Sequence, residues 1–340
     1  MTSATVASAG PSGLGVRAPV AIDAMGGDKA PSEIVEGARQ AAAQGYSVVL
    51  VGRPEALGDV GGLPVVAASE VIAMDDEPGA AVRTKKDSSL VRAAELVRDG
   101  QACAMFSAGN TGAGMAAALL RCGRLSGVSR PAIATPIPVP GATPTILVDA
   151  GANAECHAEW LVQFGQLASA FSRVRYGTEN PRVGLLSIGE EPTKGTTLVK
   201  EAHKLLAVAP GINFVGNVEG RDILTDAVDV VVTDGFTGNV ALKTLEGAMK
   251  FLIGKVFEAI MSSDDAKEAG KVLLPALAPT ADQLDPDATG GAALLGLKGL
   301  ALIGHGSSSA KAVVNAVRIA HELADARVID ALGASVRSVD

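Results

Sequence analysis

Short runs of β-branched and aliphatic residues recur along this chain, and each ends in a glycine-rich turn that opens a helical period. The stretch Asp229-Val-Val-Val-Thr-Asp-Gly-Phe-Thr-Gly-Asn-Val-Ala-Leu-Lys-Thr-Leu-Glu246 shows the unit most fully. Val230–Val232 reads as a buried parallel strand, because a strand covered on both faces needs no polar alternation. Thr233–Asn239 supplies turn chemistry, with Gly235 and Gly238 free to take positive φ. Leu242, Leu245 and Met249 then return at helical spacing. A turn of this kind aims backbone N–H groups and the positive end of a helix dipole at one spot, which suits an anion. For any one such loop, a plain connection with glycine serving only geometry stands beside that reading.

The design repeats. Val20–Asp23 runs into Ala-Met-Gly-Gly-Asp-Lys-Ala-Pro31 and a helix over 32–44. Ala102–Ser107 leads to the glycine turn Gly109-Asn-Thr-Gly-Ala-Gly114 and a helix over 115–122, and Ile146–Asp149 leads to Ala-Gly-Ala-Asn153 and a helix over 157–172. Val183–Ile188 ends in Gly189-Glu-Glu-Pro-Thr-Lys-Gly-Thr-Thr197, and Leu300–Ile303 in Gly304-His-Gly-Ser-Ser-Ser309. Alternating strands and helices with short loops predict an α/β fold with a doubly wound, mostly parallel sheet. Ligands of such sheets bind at the carboxyl ends of the strands, so these turns are expected to converge on one sheet edge. Residues 18–340 are expected to form a single α/β domain. A helical insertion is predicted at about 245–286, and residues 1–17, rich in Ala, Ser, Gly and Thr, read as a disordered extension.

Several classes fall away. A net charge of -8 argues against non-specific nucleic-acid binding. Cys103, Cys122 and Cys156 are scattered without metal or disulfide spacing, which fits a reducing cytoplasm, and no metal requirement is readable. No signal peptide is readable, and no apolar run is long enough to span a membrane. Gly112-Ala-Gly-Met-Ala-Ala117 matches a dinucleotide fingerprint locally, yet no Asp or Glu occurs between Met115 and Val148 to hold a ribose, so a nicotinamide cofactor is discounted. Around Gly189–Thr197 the lysine precedes the second glycine, and the phosphate loop of nucleotide hydrolases fails. No nucleophile elbow or zinc-hydrolase motif is present.

Taken together, Ile22-Asp-Ala-Met-Gly-Gly-Asp28 with Ala30-Pro31, Ser107-Ala-Gly-Asn-Thr-Gly112, Val148-Asp-Ala-Gly-Ala-Asn153 and Ser187-Ile-Gly-Glu-Glu-Pro-Thr-Lys-Gly195 form a distinctive set. With Gly216-Asn-Val-Glu-Gly220, Thr233-Asp-Gly-Phe-Thr-Gly-Asn239 and Gly304-His-Gly-Ser-Ser308, the chain resembles the bacterial phosphate acyltransferase (PlsX) family over residues 19–330. Ala293 stands where that family commonly has proline. The resemblance implies transfer of a fatty acyl group from acyl carrier protein to inorganic phosphate, with no cofactor. The acyl-phosphate product would serve a membrane glycerol-3-phosphate acyltransferase in phospholipid synthesis. It also implies a homodimer, a Rossmann-like three-layer sandwich related to isocitrate/isopropylmalate dehydrogenases, and a cytoplasmic protein in peripheral contact with the inner face of the membrane.

Phosphate is already a nucleophile, so the reaction needs held phosphate, donors for a developing oxyanion and a channel for the acyl chain. Lys194, Asn239 and His305 are the catalytic candidates. Asp23, Gly26, Gly27, Lys29, Asn110, Thr111, Gly112, Asn153, Gly195, Asp234, Gly235, Thr237 and Gly238 are the candidates for phosphate and substrate. Lys194 is expected to join Asn110, Thr111 and the 235–239 turn around phosphate and the thioester oxygen; Asp23, Asp28 and Asp234 either orient these donors or cap turns. Arg121, Arg124 and Arg130 form a candidate docking patch for the acidic carrier, or a scattered solvated face. The stripe Leu245, Met249, Leu252, Ile253, Val256, Phe257 and Ile260 is expected to be buried in a core or dimer; with Val272–Leu277 it is alternatively a membrane-touching tip. A short-chain phosphotransacylase using acyl-CoA, and a non-enzymatic phosphate binder, remain the other readings.

Overall fold

A computed structural model describes residues 17–336, so all but the last residue of the N-terminal extension lie outside the described residues. The strands are β1 Val20–Asp23, β2 Val48–Gly52, β3 Val65–Ala67, β4 Ala104–Ser107, β5 Ala132–Ile137, β6 Thr145–Val148, β7 Arg182–Leu186, β8 Asn213–Val218, β9 Val230–Val232, β10 Ala292–Leu295 and β11 Leu300–Ile303. The helices are α1 Ser32–Ala43, α2 Pro78–Thr84, α3 Ser89–Arg98, α4 Thr111–Cys122, α5 Ala158–Tyr176, α6 Thr197–Leu206, α7 Gly235–Ile260, α8 Asp264–Leu284, α9 Ala310–Asp325 and α10 Val328–Ser335. One 11-stranded sheet runs β3-β2-β1-β4-β11-β10-β5-β6-β9-β7-β8. Its strands are buried along their whole length at β1, β4, β6, β9 and β11, with helices covering both faces. That is why they read as unbroken apolar runs.

The sheet reverses in its middle. β10 runs antiparallel to β11 and to β5, and β5 runs antiparallel to β6. The strands β2, β1, β4 and β11 are therefore parallel among themselves, as are β6, β9, β7 and β8, but the two groups point opposite ways. Their carboxyl ends lie on opposite edges of the sheet, and the expected convergence of all the turns on one edge is overturned. The sequence hid the cause, since β5 and β10 were not predicted: β5 carries Pro136 and β10 is a short run behind Gly290-Gly291.

Two glycine turns are also read differently in three dimensions. α4 starts at Thr111, capped by Asn110, so Gly112 and Gly114 are helical. α7 starts at Gly235, capped by Asp234, and neither Gly235 nor Gly238 has positive φ. A Cβ on Gly238 would sit 2.0 Å from the Asp149 carbonyl oxygen, and one on Gly235 2.6 Å from that of Asn153. Glycine is there for close approach. Downstream, α8 stays helical through Pro275 and Pro279. The carbonyls these prolines leave unpartnered belong to a solvent-exposed segment, within reach of water.

Two edges of one sheet as candidate functional sites

The first edge gathers the carboxyl ends of β1, β4 and β11. Asp23 closes β1 and is 3% exposed. Its Oδ1 accepts from the Met25 N–H at 3.2 Å and its Oδ2 from the Ser107 hydroxyl at 2.7 Å. Burial pushes the Asp23 carboxyl up, against the pull of hydrogen bonds from Ser89, Ser107, Met25 and Gly26. A Cβ on Gly26 would lie 2.5 Å from Asp23 Oδ2, and Gly27 takes φ +112° to bring Asp28 N–H onto the Gly306 carbonyl at 2.7 Å. The β1 and β11 turns are thereby tied together. Asn110 uses both ends of its amide: Oδ1 accepts from Ala113 N–H at 3.0 Å, and Nδ2 donates to the Met74 and Asp76 carbonyls at 3.0 and 3.1 Å. Thr111 and Gly112 form the first turn of α4 beside it.

A cavity of about 660 Å³ opens from this edge. Leu242, Leu245, Met249 and Ile253 of α7 line it with Ile137 and Pro138 at the end of β5; Lys29, Glu246, Lys250, His305 and Ser307 give it a polar mouth. His305 Nε2 lies 3.0 Å from Glu246 Oε1, and Lys243 Nζ is 2.9 Å from Glu246 Oε2. Burial pushes the Glu246 carboxyl up, but hydrogen bonds from His305 and Lys243 outweigh it and hold the group below the usual glutamate range. The His305 carbonyl accepts from both the N–H and the hydroxyl of Ser308, at 3.0 and 2.6 Å. Glu246 was not among the sequence candidates. The signal was there: a carboxylate set four residues after Leu242, inside an apolar helical stripe.

The second edge gathers the ends of β6, β9 and β7. Asp149, fully buried, is its anchor. Oδ1 accepts from the N–H groups of Ile133, Gly151 and Ala152 at 3.0, 3.1 and 2.9 Å; Oδ2 accepts from Asn153 N–H and Nδ2, both at 2.8 Å. Burial raises its carboxyl, against hydrogen bonds from Ala152, Ile133 and Asn153. Asn153 also donates to the Pro131 carbonyl, and its own carbonyl accepts from Gly235 N–H. Asp234 caps α7 through Thr237 N–H and hydroxyl, each at 2.8 Å. Asn239 lies beside Gly151, a Cβ on which would meet its side chain at 3.6 Å. Lys194 is exposed on the β7 turn, with Gly195 at φ +94°. That turn is pinned by Asn217, whose Nδ2 donates to the Glu191 carbonyl at 2.8 Å, and Asn217 is held in turn by His203 at 2.9 Å.

The candidates thus divide. Asp23, Gly26, Gly27, Lys29, Asn110, Thr111, Gly112 and His305 share the first edge; Asn153, Lys194, Gly195, Asp234, Gly235, Thr237, Gly238 and Asn239 share the second. The expected grouping of Lys194 with Asn110 and Thr111 does not form within one chain, because β10 and β5 reverse the sheet between them.

Other expectations are corrected by exposure and pairing. Of the α7 stripe, Ile260 is buried and Leu245 and Met249 are half-buried, but Leu252 is 63% exposed and Phe257 54%, and Val272 of α8 is 80% exposed. Among the basic patch residues, Arg121 pairs with Glu95, Arg124 donates to the Ser129 carbonyl, and Arg130 stacks over Trp160 at 5.1 Å. Burial pushes the Cys103 thiol up to about 11 and the Cys156 thiol up to about 12, which leaves neither a ready thiolate nucleophile. Among the described residues no His/Cys/Asp/Glu cluster is placed to hold a metal ion, and no helix is long and apolar enough to cross a membrane.

Comparison with known proteins matches this arrangement to established families. A family model described as "Fatty acid synthesis protein" matches residues 18–331. A phosphate acyltransferase of Pelotomaculum thermopropionicum is 48% identical over 329 residues, covering 94% of this chain and 96% of the relative. One from Trichormus variabilis is 46% identical over 325 residues, covering 92% and 94%. Among solved structures, a phosphotransacetylase from Streptococcus pyogenes superposes with a TM-score of 0.61 at 15% identity, over 92% of this chain and 95% of that one. The EutD phosphotransacetylase from Staphylococcus aureus gives 0.58 at 17%, over 91% and 94%. These structures share the fold, as expected for a Rossmann-like three-layer α/β sandwich.

Proposed function

The chain belongs to the phosphate acyltransferase family, and from that premise we propose that it moves a fatty acyl group from the thioester of acyl carrier protein to inorganic phosphate. The observation that carries this reading is the cavity of about 660 Å³ at the first edge, apolar along α7 and β5 and polar at its mouth. An acyl chain buries in the apolar part, gaining about 0.8 kcal/mol per methylene removed from water. That places its thioester near Lys29 and His305. Phosphate then lies against the Lys29 ammonium, the Gly26–Gly27 turn and the first turn of α4 at Thr111 and Gly112, where a helix start favours anions. Asp23 keeps these turns in place. Attack on the thioester carbon needs no enzyme-bound acyl group, in line with the raised cysteine thiols.

The second edge has its own claim, since Lys194 is a cation on the turn after β7, on the same sheet edge as the α7 N-terminus with Asn153, Thr237 and Asn239. In this reading it serves an active site in a homodimer, with the exposed faces of α7 and α8 as the surface where two copies meet. The apolar tip around Val272–Leu274 contacts the inner face of the cell membrane, which puts a cytoplasmic enzyme beside the glycerol-3-phosphate acyltransferase that consumes its product. Arg124 and Arg130 with exposed Leu120 offer the acidic carrier a docking place.

The test is incubation of the purified protein with palmitoyl-acyl carrier protein and labelled phosphate, following acyl-phosphate and free carrier thiol. Phosphate-dependent formation of both supports the reading. Turnover of short acyl-CoA with none of the carrier thioester would assign it instead to the phosphotransacylase class, whose fold it shares.

A further inference from the structure

Glu246 has no place in the reading above, yet it is the residue that fixes how His305 faces the cavity. Its Oε1 sits 3.0 Å from His305 Nε2, while its Oε2 is occupied by Lys243 at 2.9 Å. The His305 backbone is gripped separately by Ser308, so ring and main chain are both held. A carboxylate can only accept, so Nε2 carries the proton in this contact, and in the neutral ring the lone pair is then on Nδ1.

We infer that Glu246 is a positioning residue that holds His305 with Nε2–H bound to the carboxylate and Nδ1 presented to the cavity mouth, where Nδ1 carries a proton from the attacking phosphate to the departing carrier thiolate. The inference rests on the proposed acyl transfer. A phosphate oxygen forms the new C–O bond at the thioester carbon as the C–S bond breaks and its electron pair leaves with sulfur. The proton of hydrogen phosphate passes to Nδ1 and from there to the thiolate. Hydrogen phosphate and thioester thus become acyl-phosphate and thiol, with the imidazole returned unchanged and no other reactant required. The charged groups around the ring are Asp28 and Lys29 from the β1 turn, Lys243, Glu246 and Lys250 from α7, and Asp285 and Asp287 ahead of β10. Asp285 is paired with Lys311 and Asp287 with the Ser309 hydroxyl, and Glu246 is the carboxylate in contact with the ring.

The experiment joins kinetics to a readout that does not depend on turnover. In ¹⁵N-histidine-labelled protein, the His305 ring is expected as the Nε2–H tautomer at neutral pH, and that preference should be lost in Glu246→Gln. In steady-state assays Glu246→Gln should lower kcat about tenfold with KM for phosphate little changed, and His305→Ala should lower it by on the order of a hundredfold, the usual range for a lost proton carrier. The double variant should be no worse than His305→Ala, because Glu246 acts through the ring. An Nδ1–H tautomer in the parent protein, an unchanged kcat in Glu246→Gln, or losses that simply add would overturn the inference. A parent protein that forms no acyl-phosphate while showing the Nε2–H tautomer would instead remove the proposed reaction and leave the Glu246–His305 geometry standing.

Discussion

Asp23 and Asp149 occupy equivalent places in the two halves of the sheet, and the contrast between them separates scaffold from site. Each ends or follows a buried strand, each precedes a glycine turn, and each has its carboxyl pushed up by burial. Asp149 accepts from backbone or amide N–H groups at every available position, so its carboxylate is wholly committed to holding its own turn. Asp23 accepts from two hydroxyls, Ser107 and Ser89, as well as from backbone N–H groups, and its turn opens onto a cavity. A buried carboxylate alone does not mark chemistry: the one at Asp149 is spent on its own turn, while the turn after Asp23 carries Lys29 to the mouth of the apolar cavity.

The sharpest way to break this comparison is to convert both to asparagine. In Asp149→Asn an amide N–H would face N–H donors, leaving buried groups unpaired at about 1–3 kcal/mol each. Denaturant titration should show a loss of several kcal/mol. Asp23→Asn should stay within about 1 kcal/mol of the parent at pH 7, because the Ser107 hydroxyl can turn to accept. The pH dependence gives a second readout. A carboxyl raised in the folded state weakens the fold as pH climbs from the ordinary value of 3.8 through the folded one, and Asp23→Asn should remove that slope. Equal stability losses in the two variants would end the contrast.

Activity should sharpen it next. Lys29→Ala at the cavity mouth should cost on the order of a hundredfold in kcat/KM for phosphate with the melting temperature unchanged, as loss of an electrostatic partner does. Filling the apolar end with Met249→Trp should shift preference toward shorter chains, read as a roughly tenfold change in the ratio of kcat/KM for palmitoyl and octanoyl donors. On the second edge, Lys194→Ala should alter stability by less than about 0.5 kcal/mol, being an exposed loop change. If it leaves turnover untouched as well, the second edge has no part in the reaction.

The alternation of strand, turn and helix was legible in the sequence because Val230–Val232, Leu300–Ile303 and their like are buried on both faces and carry no polar residue. Nearly all the turn residues later found at the strand ends were legible for the same reason. What was not legible was direction. A strand's sequence says that it is buried, never which way its neighbours run, and β5 with Pro136 gave no strand signal at all. The glycines of the α7 start misled because closeness and positive φ ask for the same residue. Glu246 was missed because its partner His305 lies far along the chain, and only the cavity joins them.

The position of β11 also sets an order on the making of the protein. β4 is finished at Ser107, yet one side of it pairs with residues 300–303. A ribosome adding 5–20 residues per second leaves that flank of β4 without its native partner for about 10–40 s after it emerges. During that interval the nascent chain carries an open, apolar strand edge of the kind that invites pairing with other chains. The first half of this enzyme is the first to be made and the last to be closed.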